Sequence, residues 1–239
     1  FIVHDGRIYA QRLLGGPQDL GVYDLDGQLQ ASPDLGVAGV GQIVPWDDGV
    51  LVRHYSYLSP NAWLQFDGKH TSKHPLSSTS PVSFAGYKAS RGLATSKDGT
   101  RVPVNIIMAE GTRLDGSNPL LLTGYGGYGN SLSPHFSSLD SVLLRQGVIM
   151  AVANLRGGGE YGEDWHRQGN LTNKQNVFDD FAAVLQHLID CGYTAPARLA
   201  NEGGSNGGLL MGALLTQHPK LVEAVVAHVG IYDSLRVEL

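Results

Sequence analysis

A serine between glycines, near the carboxyl end of the chain, has the spacing of a hydrolase nucleophile. Ser205 lies in the run Gly203-Gly204-Ser205-Asn206-Gly207, which satisfies the pattern G-x-S-x-G. In that pattern the serine occupies a sharp turn between a strand and a helix, and the glycines let the chain fold back without Cβ clashes. The N–H groups and the dipole at the start of the helix favour negative charge, which suits an oxyanion intermediate. A strand-like segment precedes Ser205 and an apolar helical segment follows it, so the sequence predicts a nucleophile.

A second hydrogen-bond donor for an oxyanion is expected from the loop after another strand. Leu120–Thr123 is a short apolar run typical of a buried strand, and the loop Gly124–Gly129 follows it. Tyr125 in this loop carries a phenol that can donate to a developing oxyanion. Tyr128 is interpreted instead as a wall residue on the substrate side. The alternative is that both tyrosines line an apolar pocket.

A second glycine-rich run has the spacing of a dinucleotide-binding loop. Gly157–Gly162 matches G-x-G-x-x-G and follows a strand-like segment. Glu160 would place a carboxylate beside the pyrophosphate, and the acidic residues about twenty positions later, Asp179 and Asp180, fall inside a helical pattern rather than at a strand end. We therefore predict no dinucleotide site and no cofactor.

A base and an acid for Ser205 are not evident in the sequence. All nine histidines lie at or before His228, which falls in a predicted strand, and Asp233 follows that histidine rather than preceding it. The chain opens on Phe1 inside a strand-like pattern, without an initiator methionine or a signal peptide. We expect the chain to be a piece of a longer protein that supplies the base and the acid elsewhere, and no compartment is assigned.

The elements around the candidate nucleophile alternate between strands and helices from about residue 83 onward. Such alternation indicates an α/β domain with parallel strands and right-handed crossovers. An Asp98-Gly99 turn predicts an antiparallel hairpin at its start, and Gly192 stands where a helix C-cap glycine belongs. The other predicted elements are strands at 120–123, 148–154, 198–202 and 222–229, and helices at 177–189 and 206–217.

The first 82 residues have a different pattern of short strands separated by turns. Asp5-Gly6 and Asp26-Gly27 mark two turns, and the same arrangement returns at Asp48-Gly49 and Asp67-Gly68. A repeat of about 40 residues is the period of four-stranded propeller blades. Residues 1–82 are therefore predicted to form about two blades at the end of a β-propeller, with two unrelated hairpins of a sandwich as the alternative.

Composition excludes several classes of partner. The chain has 17 basic and 22 acidic residues and a formal charge of −5, without a basic run, so nucleic acid is not expected to bind. The apolar runs are of strand length, so no membrane span is expected. Cys191 is the one cysteine, which excludes an internal disulfide and a cysteine-based metal site. We expect it to be a small buried side chain.

Several motifs together resemble the prolyl oligopeptidase family. Besides the two glycine-rich runs around Ser205 and Tyr125, the motifs are Arg156–Gly162, Trp165-His166, Asn173–Asn176 and Phe178–Phe181. The resemblance covers the chain from about Arg91 to Leu239, and Asn206 after the serine is similar to the prolyl oligopeptidase branch of the family rather than to oligopeptidase B. It implies an α/β fold class, namely a partial α/β-hydrolase fold in residues 83–239, preceded by the last blades of a β-propeller in residues 1–82.

The same resemblance implies a serine peptidase that cleaves short peptides after proline. It assigns Ser205 as nucleophile, and the Tyr125 hydroxyl and the Asn206 backbone N–H as oxyanion donors. Tyr128 would line the proline pocket, where the family more often has Phe. The acid and the base of the family would lie beyond Leu239, no cofactor is implied, and the parent protein is expected to be monomeric. The alternatives are an acylaminoacyl peptidase or an esterase on the same scaffold, or a catalytically silent fragment.

Overall fold

The first strands of the chain form two antiparallel meanders of four strands each. They are seen in a computed structural model that describes residues 1–233 and 235–236. Each meander connects its strands in sequence order, β1-β2-β3-β4 and β5-β6-β7-β8. The strands are β1 Ile2–His4, β2 Arg7–Leu13, β3 Gln18–Tyr23, β4 Leu29–Ala31, β5 Ala38–Trp46, β6 Gly49–Ser56, β7 Ala62–Phe66 and β8 Thr71–Lys73.

The turns of the meanders follow the Asp-Gly pattern, with one shift. Asp5 and Gly6 both have positive φ, 45° and 68°, as a type I′ turn between β1 and β2 requires. In the second meander the turn lies one residue earlier than expected, at Asp47 and Asp48, and Gly49 already belongs to β6. The core of this part of the chain is formed by alternate side chains of its strands, Tyr9, Leu20, Val22, Val40, Val50, Val52 and Phe66.

The later strands form one mixed sheet of six strands in the order β14-β13-β11-β12-β10-β9. β9 and β10 pair as the antiparallel hairpin predicted around Asp98-Gly99, β10 pairs with β12 antiparallel, and the remaining pairs are parallel. This arrangement confirms the α/β class. The strands are β9 Tyr87–Thr95, β10 Arg101–Ala109, β11 Leu120–Gly124, β12 Ile149–Ala153, β13 Leu199–Gly204 and β14 Ala224–His228.

Two long helices pack on this sheet and bury its core. In the described part of the chain the α-helices are α1 Asp140–Leu144, α2 Glu163–Arg167, α3 Gln175–Asp190 and α4 Asn206–Gln217. The 3₁₀ turns there are Leu171–Asn173, Pro196–Arg198 and Pro219–Leu221. The apolar face of α3 includes Val177, Phe181 and Leu185, which join the sheet residues in one buried cluster. α3 ends as predicted, since Gly192 just after it has φ 74°.

The described chain divides into two compact units. One contains residues 1–85 with 133–141, and the other contains residues 86–132 and the chain from Val142 onward. No helix among residues 1–233 and 235–236 is long and apolar enough to cross a membrane. The expectation for Cys191 was wrong, because this residue caps the end of α3 and its side chain is exposed rather than buried.

Candidate active site

Ser205 occupies a strained turn between β13 and α4. Its backbone angles, φ 57° and ψ −115°, are unusual for any residue other than glycine. The turn is so tight that a Cβ on Gly203 would lie 2.4 Å from the carbonyl oxygen of Gly207, which explains a glycine at that position of the motif. The serine side chain is exposed. The geometry therefore presents a hydroxyl at the carboxyl end of the strand, where a ligand can approach it.

The start of α4 directs backbone donors toward the serine. Asn206 is the first residue of this helix, and no side chain caps the helix start. The first N–H groups of a helix lack partners within the helix, so those of Asn206 and its neighbours are available to an anion. The Ser205 N–H is used differently, because it donates to the carbonyl of His228 over 2.9 Å.

The two tyrosines of the loop after β11 differ in their surroundings. The ring of Tyr125 is half-buried and lies beside the first turn of α4, since a Cβ on Gly207 would be 3.7 Å from Tyr125 Cδ2. Tyr128 is 70% exposed and has φ 56°. The structure thus brings Tyr125, Asn206 and Ser205 to one end of the sheet, and it leaves Tyr128 three residues further along the loop with its side chain in solvent.

The buried side chain of Asn206 joins the loop to the nucleophile turn. Its amide Nδ2 donates to the carbonyl of Tyr125, and its Oδ1 accepts from Lys174 Nζ over 2.8 Å. A Cβ on Gly127 would lie 2.5 Å from this amide, so a glycine is required for the loop to come so close. Sequence reasoning assigned only the backbone N–H of Asn206, and it did not identify Lys174.

The Gly157–Gly162 run is hydrogen bonded to the segment that carries Tyr125. The Gly157 carbonyl accepts from the Gly129 N–H over 3.0 Å. Glu160, which is only 1% exposed, accepts from the Leu132 N–H over 3.0 Å and so fixes the far end of the loop. Burial raises the pKa of the Glu160 carboxyl, while the hydrogen bond from Leu132 opposes that rise. The segment Gly124–Leu132 is therefore attached to this run at two points.

A buried ion pair anchors the same run to α3. Arg156 is 2% exposed and pairs through two nitrogens with the fully buried Asp180, with Nη2 to Oδ1 at 2.6 Å and Nε to Oδ2 at 2.9 Å. Asp98 in the β9–β10 turn binds the guanidinium from its more exposed side. The hydrogen bond from Arg156 lowers the pKa of the Asp98 carboxyl to about 2. Asp180 lies inside a helix as predicted, and its partner is this arginine.

His228 has an acidic partner that sequence reasoning missed. Its Nε2 lies 2.9 Å from Glu202 Oε1, and both side chains are partly exposed. The two residues are far apart in sequence, but β13 and β14 are neighbours, and the pairing of Gly204 with His228 places them on the same face. Among the described residues, no histidine ring is hydrogen bonded to the Ser205 hydroxyl. No group of three or more His, Cys, Asp or Glu side chains in that same part of the chain could hold a metal ion.

Comparison with known proteins finds similarity to one peptidase family. Residues 134–239 match the model of the prolyl oligopeptidase family. The prolyl endopeptidase of Elizabethkingia miricola is 35% identical over 236 residues, which are 97% of this chain and 33% of that protein. The chain belongs to the prolyl oligopeptidase family. It spans about a third of the length of this relative.

Solved structures of the family superpose on most of the chain. A prolyl endopeptidase structure from a study of inter-domain dynamics has a TM-score of 0.85 at 35% identity, covering 98% of this chain and 35% of that one. A post-proline cleaving enzyme from Rickettsia typhi has a TM-score of 0.73 at 27% identity, covering 99% of this chain and 37% of that one. The resemblance to this family, first inferred from the glycine-rich runs and the motifs between them, is therefore confirmed.

Proposed function

We propose that this chain supplies the nucleophile and the oxyanion donors of a serine peptidase that acts on short peptides. The observation that carries the proposal is the exposed Ser205 in a strained turn, with the uncapped start of α4 and the ring of Tyr125 beside it. Strained backbone at a reactive side chain is typical of nucleophile turns. The membership of the prolyl oligopeptidase family supports the same reading.

The reaction would be acyl transfer through a covalent intermediate. Ser205 Oγ attacks the scissile carbonyl carbon while a histidine accepts its proton, and the carbonyl oxygen becomes an oxyanion. The Tyr125 hydroxyl and the Asn206 N–H donate to that oxyanion. The carbon–nitrogen bond then breaks as the histidine returns the proton to the amine, and water hydrolyses the resulting ester in a second cycle of the same steps.

The base and the acid are proposed to come from a part of the full-length protein outside residues 1–239. No histidine ring among the described residues is hydrogen bonded to the Ser205 hydroxyl, and the chain spans about a third of the Elizabethkingia miricola relative. In the same proposal, residues 1–82 are the last blades of a β-propeller and residues 83–239 are the first part of an α/β-hydrolase domain. The two four-stranded meanders and the mixed sheet support these assignments.

Cleavage after proline is the substrate preference we propose. Its support is that the relatives include a prolyl endopeptidase and a post-proline cleaving enzyme. Tyr128 is the residue of this chain proposed to line the proline pocket, and its exposed ring is free to contact a substrate. A Tyr128→Ala variant is therefore expected to raise KM for proline peptides more than it lowers kcat.

The test of the proposed function uses the full-length protein and the variants Ser205→Ala and Tyr125→Phe. Ser205→Ala should abolish hydrolysis, and loss of one oxyanion donor in Tyr125→Phe should lower kcat on the order of 10²–10³-fold. Hydrolysis is measured with chromogenic peptides that carry proline or alanine at the cleaved position, and with simple esters. Full activity of Ser205→Ala would refute the proposal, and preference for blocked alanine peptides or esters would replace the proline assignment with an acylaminoacyl peptidase or an esterase.

A further inference from the structure

Lys174 joins two parts of the candidate active site. It precedes the first residue of α3, and its side chain reaches away from that helix. The Nζ atom donates to the carbonyl of Gly126 and to Oδ1 of Asn206, each over 2.8 Å. One ammonium group therefore contacts both the loop after β11 and the first residue of α4.

The hydrogen bond from Lys174 determines the orientation of the Asn206 side chain. Because Oδ1 of Asn206 faces the ammonium, its Nδ2 faces the loop and donates to the carbonyl of Tyr125. Two successive carbonyls of the loop, those of Tyr125 and Gly126, are thus held by one pair of side chains. A loop so rich in glycine gains little rigidity from its own backbone, so these bonds restrict the peptide groups on both sides of Gly126.

The Lys174 ammonium lies where burial makes its charge energetically unfavourable. Lys174 is half-buried, and no carboxylate lies within ion-pair distance of it among residues 1–233 and 235–236. Burial lowers the pKa of the Lys174 side chain to about 8, so the group still carries a proton at neutral pH. An apolar side chain of the same length would fill this space without that desolvation cost. The charge and its directed donors therefore indicate a role beyond filling space.

We propose that Lys174 is a positioning residue, which clamps the loop carrying Tyr125 onto the nucleophile turn through Asn206 and so fixes the distance between the two oxyanion donors. The inference rests on the proposed function. Because the oxyanion exists only along the reaction path, loss of the clamp should lower turnover rather than substrate affinity. A misplacement of about 1 Å at such a site costs on the order of 10²-fold in rate.

The experiment is a double-mutant cycle in the full-length protein, with Lys174→Met, Tyr125→Phe and the combination of both. Lys174→Met alone should lower kcat by 10- to 100-fold, on the order expected for such misplacement, with KM changed by less than about threefold. In the Tyr125→Phe background the same substitution should cost much less, because the donor it positions is already gone. Lys220→Met is the matched control, since Lys220 is exposed and far along the chain on the 3₁₀ turn after α4.

The outcomes separate this inference from the proposed function. A folded Lys174→Met protein with unchanged kcat, or with a loss that is equal in both Tyr125 backgrounds, would overturn the positioning role. If Lys174→Met does not fold, Lys174→Leu carries the same cycle, because leucine also removes both hydrogen bonds. Loss of hydrolysis in Ser205→Ala together with an unaffected Lys174→Met would leave the proposed function standing and remove only the clamp.

Discussion

Removal of the Asp180 carboxylate is expected to destabilise the second unit strongly. Asp180 is fully buried and accepts four hydrogen bonds, from Arg156 Nε, Nη2 and backbone N and from Ser96 Oγ. In Asp180→Ala the guanidinium of Arg156 stays buried. Among the described residues it keeps Asp98, whose side chain is 48% exposed, as its acidic partner, and it keeps a 3.3 Å hydrogen bond to Ser96 Oγ. Breaking a buried ion pair by removing one partner typically costs 3–5 kcal/mol of unfolding free energy, and we expect about that amount here.

The assay can report on the second unit alone. The chain has three tryptophans, and Trp165 lies in the second unit, buried, with its indole N–H donating to the carbonyl of Leu155 over 2.9 Å. Replacing Trp46 and Trp63 by phenylalanine leaves Trp165 as the single fluorophore. Urea unfolding followed by its fluorescence then gives the free energy of unfolding. The expected loss corresponds to a Tm lowered by roughly 6–20 °C for a unit of this size.

Two control variants test whether the effect comes from the buried ion pair. Asp179→Ala removes a half-buried carboxylate whose one hydrogen-bond donor among the described residues is Gln175 on the same helix. This change should alter the unfolding free energy by about 0.5 kcal/mol or less. A combined Arg156→Met and Asp180→Leu replacement should recover most of the loss, because no charge is then left buried and unpaired. Equal effects of Asp180→Ala and Asp179→Ala would refute the reasoning.

Three further predictions concern catalysis and pH. A fluorophosphonate should react with Ser205 far more slowly in residues 1–239 alone than in the full-length protein. Equal labelling rates would contradict a base that lies outside residues 1–239. The His228→Gln variant of the full-length protein should keep peptidase activity, because His228 pairs with Glu202 and not with the serine hydroxyl. A kcat measurement that shows complete loss of activity would instead identify His228 as the base. The Asp98 carboxyl has a pKa lowered to about 2 in the folded chain, so its pairing stabilises the fold above about pH 4 and this contribution is lost as pH falls toward 2. The difference in urea midpoint between the wild type and Asp98→Asn should shrink over that range, by a modest amount because Asp98 is half exposed.

The sequence by itself determined the local features of the site. The glycines around Ser205 require a tight turn, and the apolar spacing of α3 and α4 defines their buried faces, because these signals depend on residues within a few positions of one another. The hairpin at Asp98-Gly99 and the helix end at Gly192 were predicted for the same reason. The family resemblance rests on such short motifs and could be recognised without a structure.

Only the tertiary structure decided which distant side chains meet. Lys174 and Asn206, Arg156 and Asp180, and Glu202 and His228 are each separated by more than 20 residues, and their contacts depend on the strand order β14-β13-β11-β12. The pattern of apolar and polar residues does not specify this strand order. The hydrogen bonds between neighbouring strands join backbone groups and do not depend on which side chains the strands carry. Cys191 shows the same limit, since its side chain was expected to be buried and is exposed.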